Sequence, residues 1–226
     1  MKTVVLISGK LRSGKNLFSS MLTELLSSKG KVVTEEMFAR DLKDGAREDF
    51  GQLANVLNNI HENLSVMLDR CVDESVSDCI ISDMKDEITK LAILDENYYE
   101  EKTPITRALL QIYGTQIFRD RVDVNYWVNQ VMMRIANSQS DYIFVTDVRF
   151  PNEIDQLVAT LHDECKFVSI RIDRPMDRSD IQNEHESEKG LDDYDDWSIK
   201  VKNDRTMTEL SLDAIEVVEY LLRLKK

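Results

Sequence analysis

Apolar positions along the 226-residue chain fall into two patterns, short continuous runs and longer stretches spaced by three and four. Thr3-Val-Val-Leu-Ile7, Tyr142-Ile-Phe-Val-Thr146 and Lys166-Phe-Val-Ser-Ile-Arg-Ile172 are continuous and β-branched, as strands buried on both faces should be. Lys31-Val-Val-Thr34 and Trp197-Ser-Ile-Lys-Val201 are shorter strand candidates. Between them the period changes. Leu17, Met21, Leu22, Leu25 and Leu26 share one face of a helix expected from Gly14 to Ser28, and Leu53, Val56, Leu57, Ile60, Leu64, Met67 and Leu68 mark another over 48–72. Pro104 suits the first turn of a helix reaching Phe118, Asp123 suits the cap of one reaching Asn137, and Pro151 opens one through Leu161. A last helix runs from Thr206 to Leu224, whereas 73–102, acidic with a short apolar piece at Cys79-Ile80-Ile81, and 173–196 carry little period. Strands that alternate with helices predict an α/β fold: a parallel sheet covered by helices on both faces, interrupted by a helical insertion.

Composition narrows the ligands. Lys and Arg number 29 against 42 Asp and Glu, a formal net charge of −13, which argues against nucleic acid or an anionic membrane surface as partner, since those are held by clustered cations. No run approaches the roughly 20 apolar residues of a membrane span, and the N-terminal apolar run is too short for a secretory signal. Cys71, Cys79 and Cys165 form no CxxC pair and read as reduced structural thiols; His61, His162 and His185 are equally scattered, so a zinc site is not expected. The expectation is a soluble cytoplasmic protein.

Ser8-Gly-Lys-Leu-Arg-Ser-Gly-Lys15 then changes the picture. Gly9, four residues, and Gly14-Lys15 reproduce the phosphate-binding P-loop spacing between the first strand and the first helix. Glycines let successive N–H groups point inward, the helix N-terminus adds its positive dipole end, and Lys15 can reach the outer phosphates. Gly9, Arg12, Ser13, Gly14, Lys15, Asn16 and Leu17 are therefore the expected ATP-binding set. Asn16 stands where Ser or Thr usually holds Mg²⁺; its amide oxygen could hold the ion or its water.

A phosphate loop does not by itself separate a kinase, a switch GTPase and a mechanical ATPase. The chain has no NKxD guanine motif, and it places Arg12, Arg40, Arg107, Arg119, Arg149, Arg174 and Arg178 in loops and at element ends. Arg forks hold phosphate oxygens, and two phosphate-bearing substrates would account for so many. Arg107-Ala-Leu-Leu-Gln-Ile-Tyr-Gly-Thr115, Tyr126-Trp-Val128, Thr146-Asp-Val-Arg-Phe-Pro-Asn-Glu153, Arg174-Pro175, His185-Glu-Ser-Glu188, Leu191-Asp-Asp-Tyr194 and Asn203-Asp204 follow in order. With the P-loop, these segments resemble the bacteriophage-type deoxynucleoside monophosphate kinases, over roughly the first 45 residues and 103–210.

The resemblance implies a single three-layer P-loop kinase domain. Its core would be 1–34, 103–172 and 197–226, with an acceptor-binding helical region at 35–102 and a small lid at 173–196. It implies ATP and a deoxynucleoside monophosphate as substrates, Mg²⁺ as cofactor and a homodimer. Lys15, Asp147, Arg149 and Arg174 would be catalytic, and Asn16 and Asp147 would approach the metal. Lys10, Arg40, Lys43, Arg107, Gln111, Gly114, Thr115, Trp127, Arg149 and Glu153 would face the acceptor, and Asn203 and Asp204 would border the adenine. Plainer readings stand beside these: a strand-capping ion pair for Asp147 and Arg149, a solvated face for Arg107, Gln111 and Thr115, a core role for Trp127, a turn at Asn203-Asp204. The segment 173–196 holds ten acids against three basic residues, which would repel nucleotides and favour an open state. Rival functions are a P-loop kinase of another small acceptor, such as dephospho-coenzyme A or a sugar acid, and a nucleotide-binding regulatory protein.

Overall fold

The computed structural model describes residues 1–50, 110–175 and 189–224. They belong to two compact units, Met1–Phe38 with Val131–Lys226, and Ala39–Gln130. The helix expected over 48–72, Arg107, Arg178 and the His185 segment lie almost wholly outside the described residues.

The first unit is built on a five-stranded, all-parallel sheet in the order β2-β3-β1-β4-β5, with β1 at Lys2–Ser8, β2 at Val33–Glu36, β3 at Tyr142–Val145, β4 at Cys165–Asp173 and β5 at Ile199–Lys202. The central strand β1 pairs Val5 with Phe144 on one side and with Val168 on the other. Val4, Val5, Leu6 and Ile7 are all buried. Because successive side chains point to opposite faces, this means both faces of the sheet are covered. On one face, helices α1 (Lys15–Ser28) and α6 (Met207–Leu224) close the core, with Phe18, Leu22 and Leu26 packed among Val5, Ile7, Ile170, Ile172, Val218 and Leu221. Phe18 is fully buried, and truncating such a ring to Ala costs about 3–5 kcal/mol. Helix α5 (Pro151–Leu161) buries Ile154, Leu157 and Leu161.

The order places β1 in the centre with its carboxyl end free to open into a loop. It also brings the carboxyl ends of β3 and β4 to either side of that loop. The amide of Val148 donates to the carbonyl of Ile7 at 3.3 Å, so the chain leaving β3 runs beside the end of β1. Ligands of open parallel sheets bind at such carboxyl ends.

Two strands start two residues later than the sequence expectation. Strand β2 begins two residues after Lys31, because Val32 is exposed and its carbonyl accepts the amides of Asp141 and Tyr142 ahead of the paired register. Strand β5 begins at Ile199 because Trp197 turns back, its Nε1 donating to the carbonyl of Tyr194 at 2.7 Å.

The second unit contains most of α2 (Phe38–Phe50), where the sequence pattern predicts no element before residue 48, then α3 (Ile112–Val122) and the start of α4 (Tyr126–Asn137). Helix α3 is wound as a π-helix rather than the expected α-helix, an uncommon winding in a run of 11 residues. Tyr113, Phe118, Tyr126 and Trp127 form a contiguous ring cluster here, with centroid separations of 4.5–6.2 Å. Gly114 has no room for a side chain, since a Cβ would lie 2.6 Å from Leu42 of α2.

Candidate active site

The loop between β1 and α1 is shaped by three backbone features. The amide of Ser13 donates to the carbonyl of Lys10 at 3.1 Å, closing a turn, and Arg12 and Gly14 adopt left-handed φ values of 62° and 91°. A left-handed non-glycine residue such as Arg12 costs on the order of 1–2 kcal/mol and marks a conformation that the surroundings enforce. Gly14 precedes α1 and provides no side-chain cap, so no capping side chain competes with an anion for the first-turn amides of the helix. Lys15 folds back over the loop, its Nζ 3.4 Å from the carbonyl of Lys10.

Packing fixes the loop from beneath. A Cβ on Gly9 would lie 2.7 Å from the carbonyl oxygen of Ile172 and would collide with Ser13 Oγ, so the loop sits directly on β4. Asn203 holds it from the side: its Nδ2 donates to the carbonyl of Ser13 at 2.8 Å, and its own amide donates to the carbonyl of Asp173 at 2.7 Å. The structure thus uses the Asn203 side chain as a brace for the phosphate loop, a use the sequence reading did not foresee. Asp204, next to it, is near Arg205. Arg12, Asn16 and Leu17 are exposed, while Ser13 is buried.

Beyond β3, Asp147 Oδ1 accepts the amide of Phe38 at 2.9 Å, tying the end of β3 to the start of α2. Glu153 is buried at 5% exposure, and its Oε2 accepts the amides of Arg149 at 2.6 Å and Phe150 at 3.0 Å. The expected acceptor-facing carboxylate therefore points back at the start of α5 and sets the backbone from which half-buried Arg149 projects. The neighbouring acids are committed as well. Glu36 pairs with Arg134 at 2.7 Å, and Glu35 Oε1 accepts the Thr146 hydroxyl at 2.9 Å.

Arg40 and Lys43 are half-buried on α2, three residues apart on one face, and Gln111 and Thr115 are half-buried at the start of α3. The Trp127 ring is part of the aromatic cluster, in line with the plainer core reading, and its Nε1 donates to the carbonyl of Gly114 at 2.9 Å.

Asn16 and Asp147 offer hard oxygen donors, a set that fits Mg²⁺, which is held by one or two carboxylates together with substrate phosphates and water. Among the described residues, no group of three or more His, Cys, Asp or Glu is placed to hold an ion by itself.

Comparison with known proteins completes this picture. A model of the family described as deoxynucleotide monophosphate kinase matches residues 41–213, more than half of the chain. The chain belongs to that family. It is 32% identical over 85 residues to the deoxynucleoside-5'-monophosphate kinase of Escherichia phage T5, covering 38% of this chain and 34% of that protein. It is also 34% identical over 107 residues to the uncharacterized protein ORF77 of Ictalurid herpesvirus 1 (strain Auburn), covering 46% of this chain and 44% of that one. The aligned parts thus span less than half the length of either relative.

The match to the deoxynucleotide monophosphate kinase family begins at residue 41, after the phosphate loop, so the loop's geometry is independent support for a phosphate-handling protein. Within this family member, sequence reasoning passed over a second charged group. Arg171 is only 8% exposed and lies between the buried Ile170 and Ile172 of β4. A cation inside an apolar strand was the available signal, because buried Arg needs anionic or polar partners. Those partners are Ser8, Asp173 and Asp192, with Trp197 beside the guanidinium. Tyr194 stands edge-on to Trp197 at 4.9 Å, and burial, reinforced by Asp196 and Asp155, pushes its hydroxyl pKa up.

Proposed function

We propose that the chain transfers the γ-phosphoryl group of ATP to a deoxynucleoside 5'-monophosphate, giving ADP and the deoxynucleoside diphosphate. The observation that carries this reading is the braced loop itself: left-handed Arg12 and Gly14, an N-terminus of α1 without a side-chain cap, and Lys15 folded over them, at the carboxyl end of a central parallel strand. Family membership supplies the acceptor class.

The residues divide the work. The amides of the loop and the first turn of α1 hold the phosphate chain, and Lys15 neutralises the charge that develops between donor and acceptor. Arg149, on a backbone fixed by Glu153, holds the acceptor phosphate in line for attack. Arg174 adds charge from the end of β4. Lys10, Arg40, Lys43, Arg107, Gln111, Gly114, Thr115 and Trp127 contribute the rest of the acceptor site. Asn16 and Asp147 would hold Mg²⁺, which supplies charge neutralisation on the phosphate oxygens. Transfer is direct, without a covalent enzyme intermediate. In this reading the helical region 35–102 carries acceptor recognition, the segment 173–196 closes over the nucleotides, and the protein works in the cytoplasm as a homodimer.

Among the described residues, no helix is long and apolar enough to cross a membrane. ADP release coupled to a spectrophotometric readout, with ATP and a panel of acceptors, tests the proposal. Turnover with dGMP, dTMP or hydroxymethylated dCMP, and none with dephospho-coenzyme A or sugar acids, is expected. Tight ATP binding with no turnover on any acceptor would favour a regulatory protein instead, the reading that Asn16 in place of Ser or Thr keeps open.

A further inference from the structure

A cavity of about 410 Å³ lies on the first unit, lined among others by Lys10, Arg171, Arg174, Asp192, Trp197 and Lys200. The strand register explains the cations. Ser8 of β1 is paired with Arg171 of β4, and Arg171 with Lys200 of β5, so the three side chains form one lateral row on the sheet face opposite Ile170 and Ile172. Arg171 is fixed in this row. Nη1 donates to Ser8 Oγ at 3.2 Å, Nε to Asp173 Oδ1 at 3.1 Å, and the guanidinium carbon lies 5.9 Å from the centre of the Trp197 ring.

Asp192 is held differently. One carboxylate oxygen accepts Lys10 Nζ at 2.9 Å and the other accepts Arg171 Nη2 at 3.3 Å, so a single anion bridges a cation of the phosphate loop and a cation of the sheet. The Arg171 side chain is 9% exposed, whereas that of Asp192 is 36% exposed. Asp192 can leave for water at little desolvation cost, while Arg171, held in place by Ser8 and Asp173, keeps Nη2 directed at the position that Asp192 vacates. The arrangement is a two-cation cradle filled by a replaceable carboxylate.

We propose that Lys10 and Arg171 form a phosphoryl-oxyanion subsite beside the phosphate loop, and that Asp192 is its internal counter-ion, displaced when a phosphate-bearing ligand arrives. A phosphoryl group offers the same two acceptor oxygens with more charge, and Lys10 immediately follows Gly9, so phosphate on the loop and phosphate in the cradle are within one residue of each other along the chain. The ligand is a phosphate oxyanion, supplied either by a nucleotide or as free inorganic phosphate or pyrophosphate.

The cradle is tested by binding, so its outcome does not depend on the kinase reaction. In a Trp127→Phe background, the fluorescence of Trp197 reports titration with inorganic pyrophosphate. Removing the competing carboxylate with Asp192→Asn should tighten pyrophosphate about five- to tenfold, the factor expected for one unit charge at contact distance in a solvent-exposed setting. Lys10→Gln, at a solvent-accessible side chain, should weaken it, and should cancel the gain when combined with Asp192→Asn. Asp193→Asn changes the net charge equally one residue away and should leave the affinity unchanged. A parallel titration with ATP separates the sources: tightening with both ligands assigns the subsite to nucleotide phosphate, and tightening with pyrophosphate alone assigns it to the free oxyanion. An Asp192→Asn protein that binds no tighter, or an Asp193→Asn protein that tightens equally, would overturn the proposal.

Discussion

Two single positions hold the candidate site in shape and a third supplies charge to it, and each fails in a different way. Gly14 combines a φ of 91° with a neighbour, the Asn203 side chain, where a Cβ would go. Gly14→Ala should therefore cost about 1–2 kcal/mol from the backbone alone, read as a lowered melting temperature, and should weaken ATP binding because Asn203 must leave Ser13. Glu153 accepts two amides from a buried position, so Glu153→Ala leaves both donors unsatisfied and should cost about 1–3 kcal/mol. Glu153→Gln keeps an accepting oxygen and should recover most of that loss. Because Arg149 is set by this bond, Glu153→Ala should also raise KM for the acceptor without changing KM for ATP. A melting temperature that falls while both KM values stay fixed would confine Glu153 to stability. Lys15 Nζ lies 3.4 Å from the loop carbonyl of Lys10, and Lys15→Ala should reduce kcat by about 10²–10³-fold in the coupled assay, the scale of losing one preorganised charge-stabilising group.

At the level of elements, α6 shows how a local sequence signal becomes measurable stability. The Thr206 hydroxyl accepts the Glu209 amide at 3.3 Å, and Glu209 Oε2 accepts the Thr206 amide at 3.0 Å and its hydroxyl at 2.8 Å, a reciprocal cap. These bonds, with Arg205 nearby, lower the Glu209 pKa below its ordinary 4.5. A depressed carboxyl stabilises the folded state above the unfolded pKa and loses that contribution as pH falls through the folded one. The difference in unfolding free energy between the parent protein and Glu209→Ala should thus be constant near neutrality and shrink below pH 4.5. A gap that does not change down to acid unfolding would mean the carboxylate charge plays no part. Such elements were readable because their causes are local: the apolar runs of β1, β3 and β4, Pro151 opening α5, and Thr206 three residues before Glu209. The elements that were misread have causes outside their own sequence. Helix α2 is mostly polar in its first turns and is fixed in part by Asp147, more than 100 residues away, capping Phe38. Helix α3 packs Gly114 against Leu42 and receives the Trp127 indole, contacts that no periodicity reports. In the candidate site, the loop from Gly9 to Lys15 was legible as a spacing, whereas the grouping of Lys10, Arg171 and Asp192 depends on strand register and a return of the chain 182 residues after Lys10.

For the whole molecule the question is how a chain of net charge −13 would admit the small phosphate ligands proposed above. The acids at 191–196 are only partly available to repel a nucleotide. Asp192 is bound by Lys10 and Arg171, and Asp195 lies 3.3 Å from Lys200. The repulsion expected from this segment is accordingly weaker than its composition suggests, and the surplus acts mainly as a distant field. Distant and contact charges respond to salt over different ranges. The screening length falls from about 30 Å at 0.01 M to about 10 Å at 0.1 M, which removes most of a far field and leaves contacts near 3 Å largely intact. The association rate of ATP or pyrophosphate, followed by stopped-flow Trp197 fluorescence, should therefore rise over that range of ionic strength, while the dissociation rate increases only at higher salt. A protein with a basic binding face does the opposite, losing association rate at the first addition of salt. An association rate that falls monotonically from 0.01 M would show that the loop, Arg149 and Arg174 already dominate the potential at the distance where ligands are captured. In that case the acidic surface would have no part in nucleotide entry. A rise would instead make the excess of 13 negative charges a barrier that physiological ionic strength removes, leaving selection to the few cations proposed to hold phosphate.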